Sequence, residues 1–194
     1  MKKIIPIIDT GHGYNTPGKR SEGFEKDGKV ALKENSVNEA VGNKLSYLFW
    51  ENQQESHFIT NEWYDVSLQE RCRRENEIAK RIWNKGKRSV FISIHADAFH
   101  IKNAAKGGRF FYKSDSGKKI AIQLTNYLRS NGYGLDLREP AQANFKVLRS
   151  TTSPAVLFEM GFMTTESDLL KLLDDDFRNK TAKLLFEGIN QLKQ

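Results

Sequence analysis

Apolar positions along this chain fall into short runs and helical stripes that alternate. Ile4 to Ile8 is a brief apolar run, as expected of a strand buried on both faces. Val37, Val41, Leu45 and Leu48 recur at helical spacing and predict a helix to about Trp50, capped by Asn35 or Ser36. Ser56 to Thr60 reads as a second strand. Ser67 caps a helix to about Lys85, Glu70 three residues on completes a capping box, and Gly86 ends it. Ser89 to His95 is the strongest strand signal in the sequence. Gly108 to Tyr112 reads as a strand and Asp115 to Asn131 as a helix stopped by Gly132. Lys146 to Arg149 reads as a short strand and Pro154 to Glu159 as a buried one, and helices follow over about Glu166–Leu173 and Asp175–Leu192. Strands alternating with helices predict an α/β fold: a mostly parallel, twisted central sheet of about six strands with helices on both faces.

Residues 9–34 interrupt this rhythm. They are rich in Gly, Lys, Glu and Asp, and read as a long loop of the functional kind. With no repeat, linker or low-complexity segment, 1–194 is expected to be one domain. A chain of 194 residues buries roughly 70% of its unfolded surface and needs no staples.

Composition narrows the class. Cys72 is the single cysteine, so no intrachain disulfide or cysteine-based metal cluster forms, and it reads as a partly buried bystander. The N-terminal Lys2-Lys3 and the apolar residues after them imitate a signal peptide, but Pro6 and Asp9 break the run short of the roughly 7–15 residues an h-region needs. No stretch approaches the ~20 apolar residues of a membrane span. The chain is therefore expected to be made in the cytoplasm without a signal peptide. The net charge of +7 favours a polyanionic partner, yet the Lys and Arg residues are scattered and lack a nucleic-acid-binding signature.

Open α/β sheets collect chemistry at the carboxyl ends of their strands. Three strand ends carry unusual polar residues: Asp9-Thr10-Gly11-His12-Gly13, His95-Ala96-Asp97-Ala98 and Glu159-Met160-Gly161-Phe162. Two histidines and a carboxylate are a common zinc set that leaves a fourth position for water. His12 and His95 supply the imidazoles, Glu34 the carboxylate, and Glu159 fits a base that does not bind metal. Plainer readings stand beside these. A histidine in a Gly-flanked turn is often structural, Glu34 is also a favourable helix-start acid, and Asp9, Asp97 and Glu159 are also compatible with solvent-facing strand ends. His57 and His100 read as incidental. The segment from Gly11 fails both nucleotide-loop spacings: position 16 is Thr16, and no Gly-Lys-Ser/Thr follows.

The motifs Asp9-Thr10-Gly11-His12-Gly13, Lys33-Glu34-Asn35, Phe91 to Ala98 and Phe158-Glu159-Met160-Gly161-Phe162 resemble, in order, those of the zinc-dependent N-acetylmuramoyl-L-alanine amidases of the type-3 family. Ser67 to Arg71 through Asn76 resembles that family's helix, and Lys146–Arg149 with Pro154–Leu157 its approach to the catalytic strand. The resemblance spans nearly the whole chain. It implies that His12, Glu34 and His95 bind Zn2+, that Glu159 is catalytic, and that the substrate is peptidoglycan, cut between the muramoyl lactyl group and L-alanine. It implies a monomer acting at the cell wall after release, as a phage or prophage lysin does, or a bacterial enzyme exported by another route. Asp9 or Asp97 is expected to orient a histidine ring. Met160 and Thr164-Thr165 depart from the family pattern. The short segments after the third strand imply no built-in inhibitory helix. The alternatives are a different zinc amidohydrolase, such as a deacetylase, and a wall-binding module without turnover.

Overall fold

Residues 3–21 and 32–192 are described by a computed structural model. β1 (Ile4–Thr10) is followed by β2 (Arg20–Ser21) and β3 (Leu32–Lys33), then α1 (Glu34–Glu51), β4 (His57–Phe58), α2 (Leu68–Asn84), β5 (Arg88–Asp97) and β6 (Arg109–Tyr112). The chain continues through α3 (Asp115–Ser130), β7 (Ala141–Gln142), α4 (Lys146–Arg149), β8 (Ala155–Phe162), α5 (Glu166–Leu173) and α6 (Asp175–Asn190). The main sheet has the order β4-β1-β5-β8-β6-β7, and only the β6–β8 pairing is antiparallel. This is the expected six-stranded, mostly parallel α/β sheet.

The pleat sorts β5 with period two. Val90, Ile92 and Ile94 join Val41 and Leu45 of α1, Leu124 of α3 and Leu185 of α6 in the larger core. Phe91, on the opposite face, packs with Cys72, Ala79 and Ile82 of α2 and Val147 and Leu148 of α4. His95 follows Phe91 on that second face, at the strand's end. The two cores make the layers, and the strand ends between them hold the polar residues.

Capping matches the sequence in one helix and not in another. Ser67 Oγ accepts from the Glu70 amide, and Gly86 takes φ 65° beyond the end of α2. Glu70 does not reach back to complete a capping box; its carboxylate accepts from Arg73 and Arg74. α1 starts at Glu34, one residue before the expected caps, and Ser36 instead donates to the Lys33 carbonyl.

Two further expectations are corrected. Lys146–Arg149 is a helical turn, not a strand: the Leu148 and Arg149 amides donate to the Phe145 carbonyl, and adjacent Val147 and Leu148 are both buried. Four residues are too few for periodicity to separate the two states. The long loop 9–34 contains an antiparallel ribbon, with Arg20 opposite Lys33 and Ser21 opposite Leu32; residues 22–31 lie outside the described residues.

Candidate metal centre

The register of the sheet builds the site. His95 is the pairing partner of Glu159, and Glu159 that of Arg109, so the three side chains share one face. On the other side of β5, the Gly11 amide donates to the Ile94 carbonyl, which places Gly11 beside His95. A Cβ at Gly11 would lie 2.0 Å from His95 Cε1, so the missing side chain is the space the imidazole occupies.

His12 follows at φ 66°, a left-handed conformation that costs a non-glycine residue of order 1–3 kcal/mol. The turn is held from outside. Asn38 of α1 donates to the Gly11 carbonyl at 3.0 Å, and Arg71 of α2 donates to the His12 carbonyl at 3.2 Å. Arg71 is itself buried and saturated. It pairs with Asp9 at 2.6 Å and also reaches the Thr10 and Val66 carbonyls and Asp65.

Glu34, at the first position of α1, is buried and extends over the strand ends. Its Oε1 lies 3.0 Å from His95 Nδ1 and 3.4 Å from His12 Nε2, while its Oε2 has no hydrogen-bond partner and Lys19 Nζ is 3.7 Å away. The imidazoles meet edge to face at 5.0 Å. One ligand atom from each of His12, Glu34 and His95 falls within 4.8 Å of the others; these three residues are the candidate ligand set among the described residues.

The electrostatics suit a cation. Burial pushes the His12 imidazole down to about 4, against the pull of Glu34, so it is neutral and offers a lone pair near pH 7. Burial raises the Glu34 carboxyl, but the His95 hydrogen bond and the charges of His95, His12 and Lys19 outweigh it and leave the net shift downward. His95 is lowered by burial and raised more by the Glu34 hydrogen bond and the nearby carboxylates. Burial lifts Glu159 to about 8, opposed by His95 and assisted by Asp97 and Glu34.

The profile of the N-acetylmuramoyl-L-alanine amidase family matches residues 7–191. The chain belongs to that family. It is therefore a hydrolase of the amidase class. It is 28% identical to the Bacillus subtilis (strain 168) protein YqiI over 190 residues, covering 94% of this chain and 82% of YqiI. It is 27% identical over 191 residues to a Staphylococcus epidermidis protein described as a probable cell wall amidase, LytH, covering 98% of this chain and 59% of LytH. Among solved structures it resembles the catalytic domain of CwlV, an N-acetylmuramoyl-L-alanine amidase from Bacillus (Paenibacillus) polymyxa var. colistinus, with a TM-score of 0.77, 27% identity and 96% of both chains covered. It also resembles the N-acetylmuramoyl-L-alanine amidase from Clostridium difficile 630, with a TM-score of 0.78, 26% identity, and 97% and 96% covered.

Against this family background, the polar residues around the site divide by what they touch. Neither Asp9 nor Asp97 reaches a histidine ring among the described residues, contrary to expectation. Asp9 is taken up by Arg71 and by the Ser93 hydroxyl at 2.5 Å; Asp97 accepts from the Ala98 amide and faces Arg138 at 3.9 Å. Thr164 and Thr165 hold the 98–107 loop: Thr164 Oγ1 accepts from the Phe99 amide and Thr165 donates to the Ala105 carbonyl. That loop contains no helix. His57 and His100 lie outside the cluster, and Cys72 is buried with its thiol raised by burial.

Arg71 and Asn38 are the positioning residues that the sequence reading did not assign. A signal existed for Arg71. It and Glu75 are charged residues in phase with the apolar stripe Cys72, Ala79, Ile82 of α2.

The site imposes a pH dependence on the metal-free protein. Between the ordinary carboxyl value of 4.5 and about 8, the unfolded chain has lost the Glu159 proton while the native state keeps it. Stability then falls as pH rises, by at most about 1.4 kcal/mol per pH unit. The raised His95 acts with the same sign. The lowered His12 acts oppositely, but between about 4 and 6.5, so the clean window is pH 6.5–8. Denaturant unfolding of chelated protein is expected to show lower stability at pH 8 than at 6.5, with a shallower loss in Glu159→Gln. Rising stability across that window would overturn this electrostatic reading.

Proposed function

We propose that this chain is a zinc-dependent N-acetylmuramoyl-L-alanine amidase that cuts the amide between the lactyl group of muramic acid and L-alanine in peptidoglycan. His12, Glu34 and His95 hold the ion and Glu159 moves the proton. The observation carrying this reading is the convergence of two imidazoles and a buried carboxylate at the strand ends, with Glu159 one strand away in register. The donor set fits a zinc ion: two neutral-capable nitrogens, and a carboxylate whose Oε2 is buried and unpartnered. A zinc ion held by these residues would supply Lewis acidity toward the scissile carbonyl and lower the pKa of the attacking water.

The remaining chemistry falls to the protein. Glu159 takes one proton from the attacking water in its carboxylate form, which burial makes a stronger base, and returns it to the departing alanine nitrogen. The water oxygen bonds to the lactyl carbonyl carbon, the C–N bond breaks, and the water's second proton passes from the new acid to the amine, giving a lactyl carboxylate and an L-alanine ammonium end. Arg71 and Asn38 keep the His12 turn in place, and Gly11 keeps room for His95. No helix among the described residues is long and apolar enough to cross a membrane, and the +7 charge favours an anionic wall.

Gly11→Ala drives a methyl group into the His95 ring, so zinc affinity is expected to fall by about 10–100-fold, the scale of disrupting a ligand's support. Competition with a zinc chelator measures it, and wild-type affinity would contradict the packing argument. The function itself is tested by products. Digested peptidoglycan is expected to gain L-alanine amino ends; new reducing sugar ends, released acetate or amino ends of other residues would overturn the reading.

A further inference from the structure

Two arginines extend the row of site residues, and they are bonded differently from the other arginine of this region. Arg109 pairs with Glu159 across β6 and β8. Arg138 lies one strand further out: Gly108 bridges Leu137 in parallel, and the Arg138 amide donates to the Gly108 carbonyl at 2.9 Å. The face therefore runs His95, Glu159, Arg109, Arg138. Arg71 has its donors taken up by two carboxylates and three carbonyls. In contrast, Arg109 Nε and Arg138 Nε and Nη2 are buried without a hydrogen-bond partner.

Charge is unbalanced in the same place. The carboxylate paired with Arg138 is Asp97, at 3.9 Å, beyond hydrogen-bond distance. Among the described residues, no ion pair engages Arg109. Arg138 is lowered by burial and by the Arg109 charge, with Asp97, Asp168 and Glu159 opposing. Both guanidinium groups lie near aromatic rings, Arg138 at 4.8 Å from the Phe162 centroid and Arg109 at 5.9 Å from that of Phe111. Such contacts restrain the groups and favour recognition by their N–H edges.

We propose that Arg109 and Arg138 form a subsite for the free α-carboxylate of the second stem-peptide residue, on the leaving-amine side of the scissile bond. This rests on the amidase reading above. Glu159 protonates the departing nitrogen, so the peptide that leaves extends from Glu159 away from His12, along the strands that carry the two arginines. Adjacent strands are about 4.8 Å apart. The α-carboxylate of the residue after alanine lies roughly two residue lengths, about 7 Å, from that nitrogen. That reach falls between Arg109 and Arg138, whose long side chains cover the rest. A carboxylate there supplies two charged acceptor oxygens to the unpartnered donors, whereas a carboxamide supplies one neutral oxygen and turns an N–H donor toward the guanidinium groups. The subsite therefore sets specificity for stems with an unamidated second residue.

The test compares two synthetic substrates, muramoyl-L-alanyl-D-glutamate with a free α-carboxylate and its α-carboxamide, with the zinc-loaded full chain. The carboxylate substrate is expected to be preferred in kcat/KM by roughly tenfold or more, the scale of a charged hydrogen bond. Most of the preference should lie in KM. Arg138→Gln and Arg109→Gln should bring the ratio toward one at unchanged zinc content, and Arg138→Lys should restore part of it. Should Arg109→Gln fail to fold, the wild-type ratio and the Arg138 variants decide. Equal use of both substrates by the wild type, or an undiminished ratio in Arg138→Gln, overturns the subsite and leaves the amidase reading standing. Release of no L-alanine amine from either substrate overturns the amidase reading itself.

Discussion

Glu159→Gln is expected to lower turnover by roughly 10²–10⁴, the usual worth of a positioned proton shuttle, while zinc content and fold persist. The substitution keeps shape and removes the ionisable proton. The ligand cluster does not include Glu159: His12, Glu34 and His95 converge without it, and its own contact with the group is a neighbouring position in the sheet. Glu34→Gln should behave differently. A neutral amide oxygen replaces the carboxylate at the centre of both imidazoles, and metal should be lost along with activity. Steady-state kinetics together with metal analysis of the two variants separate the roles. Zinc loss in Glu159→Gln, or wild-type turnover, would contradict the assignment.

Arg71→Ala should cost about 3–5 kcal/mol of stability, because it leaves the Asp9 carboxylate buried without its counter-charge. It also removes the donor to the His12 carbonyl, so zinc affinity should fall with stability. Combining Arg71→Met with Asp9→Leu removes both charges and should recover part of the loss. Denaturant unfolding of chelated protein measures the stability term. A change under about 1 kcal/mol for Arg71→Ala would show that the pair does not anchor the first strand end.

Much of this architecture is legible in the sequence because local and tertiary signals agree. Ser89 to His95 alternates between two buried faces, and both cores use that alternation. Ser67 and Gly86 mark the ends of α2 through backbone requirements that do not depend on packing. Lys146–Arg149 is ambiguous in sequence because its adjacent apolar residues suit a buried strand as well as a helical turn against α2. The ribbon in the 9–34 loop carries two residues per strand, too few to leave a pattern.

The site divides in the same way. His12, Glu34, His95 and Glu159 stand where apolar runs meet polar residues, a contrast visible in one dimension, and the structure brings all four together. The partners of Asp9 and Asp97 were not visible. Which side of a strand end a carboxylate faces depends on α2 supplying Arg71 and on the register shift between β5 and β8 after His95. Arg109 and Arg138 were hidden for a related reason: their alignment with Glu159 comes from antiparallel pairing of β6 and from a single bridge at Leu137.

The proposed amide hydrolysis depends on a metal ion at the His12, Glu34 and His95 cluster. The most direct measurement titrates chelated protein with zinc while following release of L-alanine amino ends from a muramoyl peptide. Activity should climb from none to a plateau at about one ion per chain, and His95→Ala should stay inactive without binding that ion. Full release of L-alanine ends by protein free of metal would contradict the account.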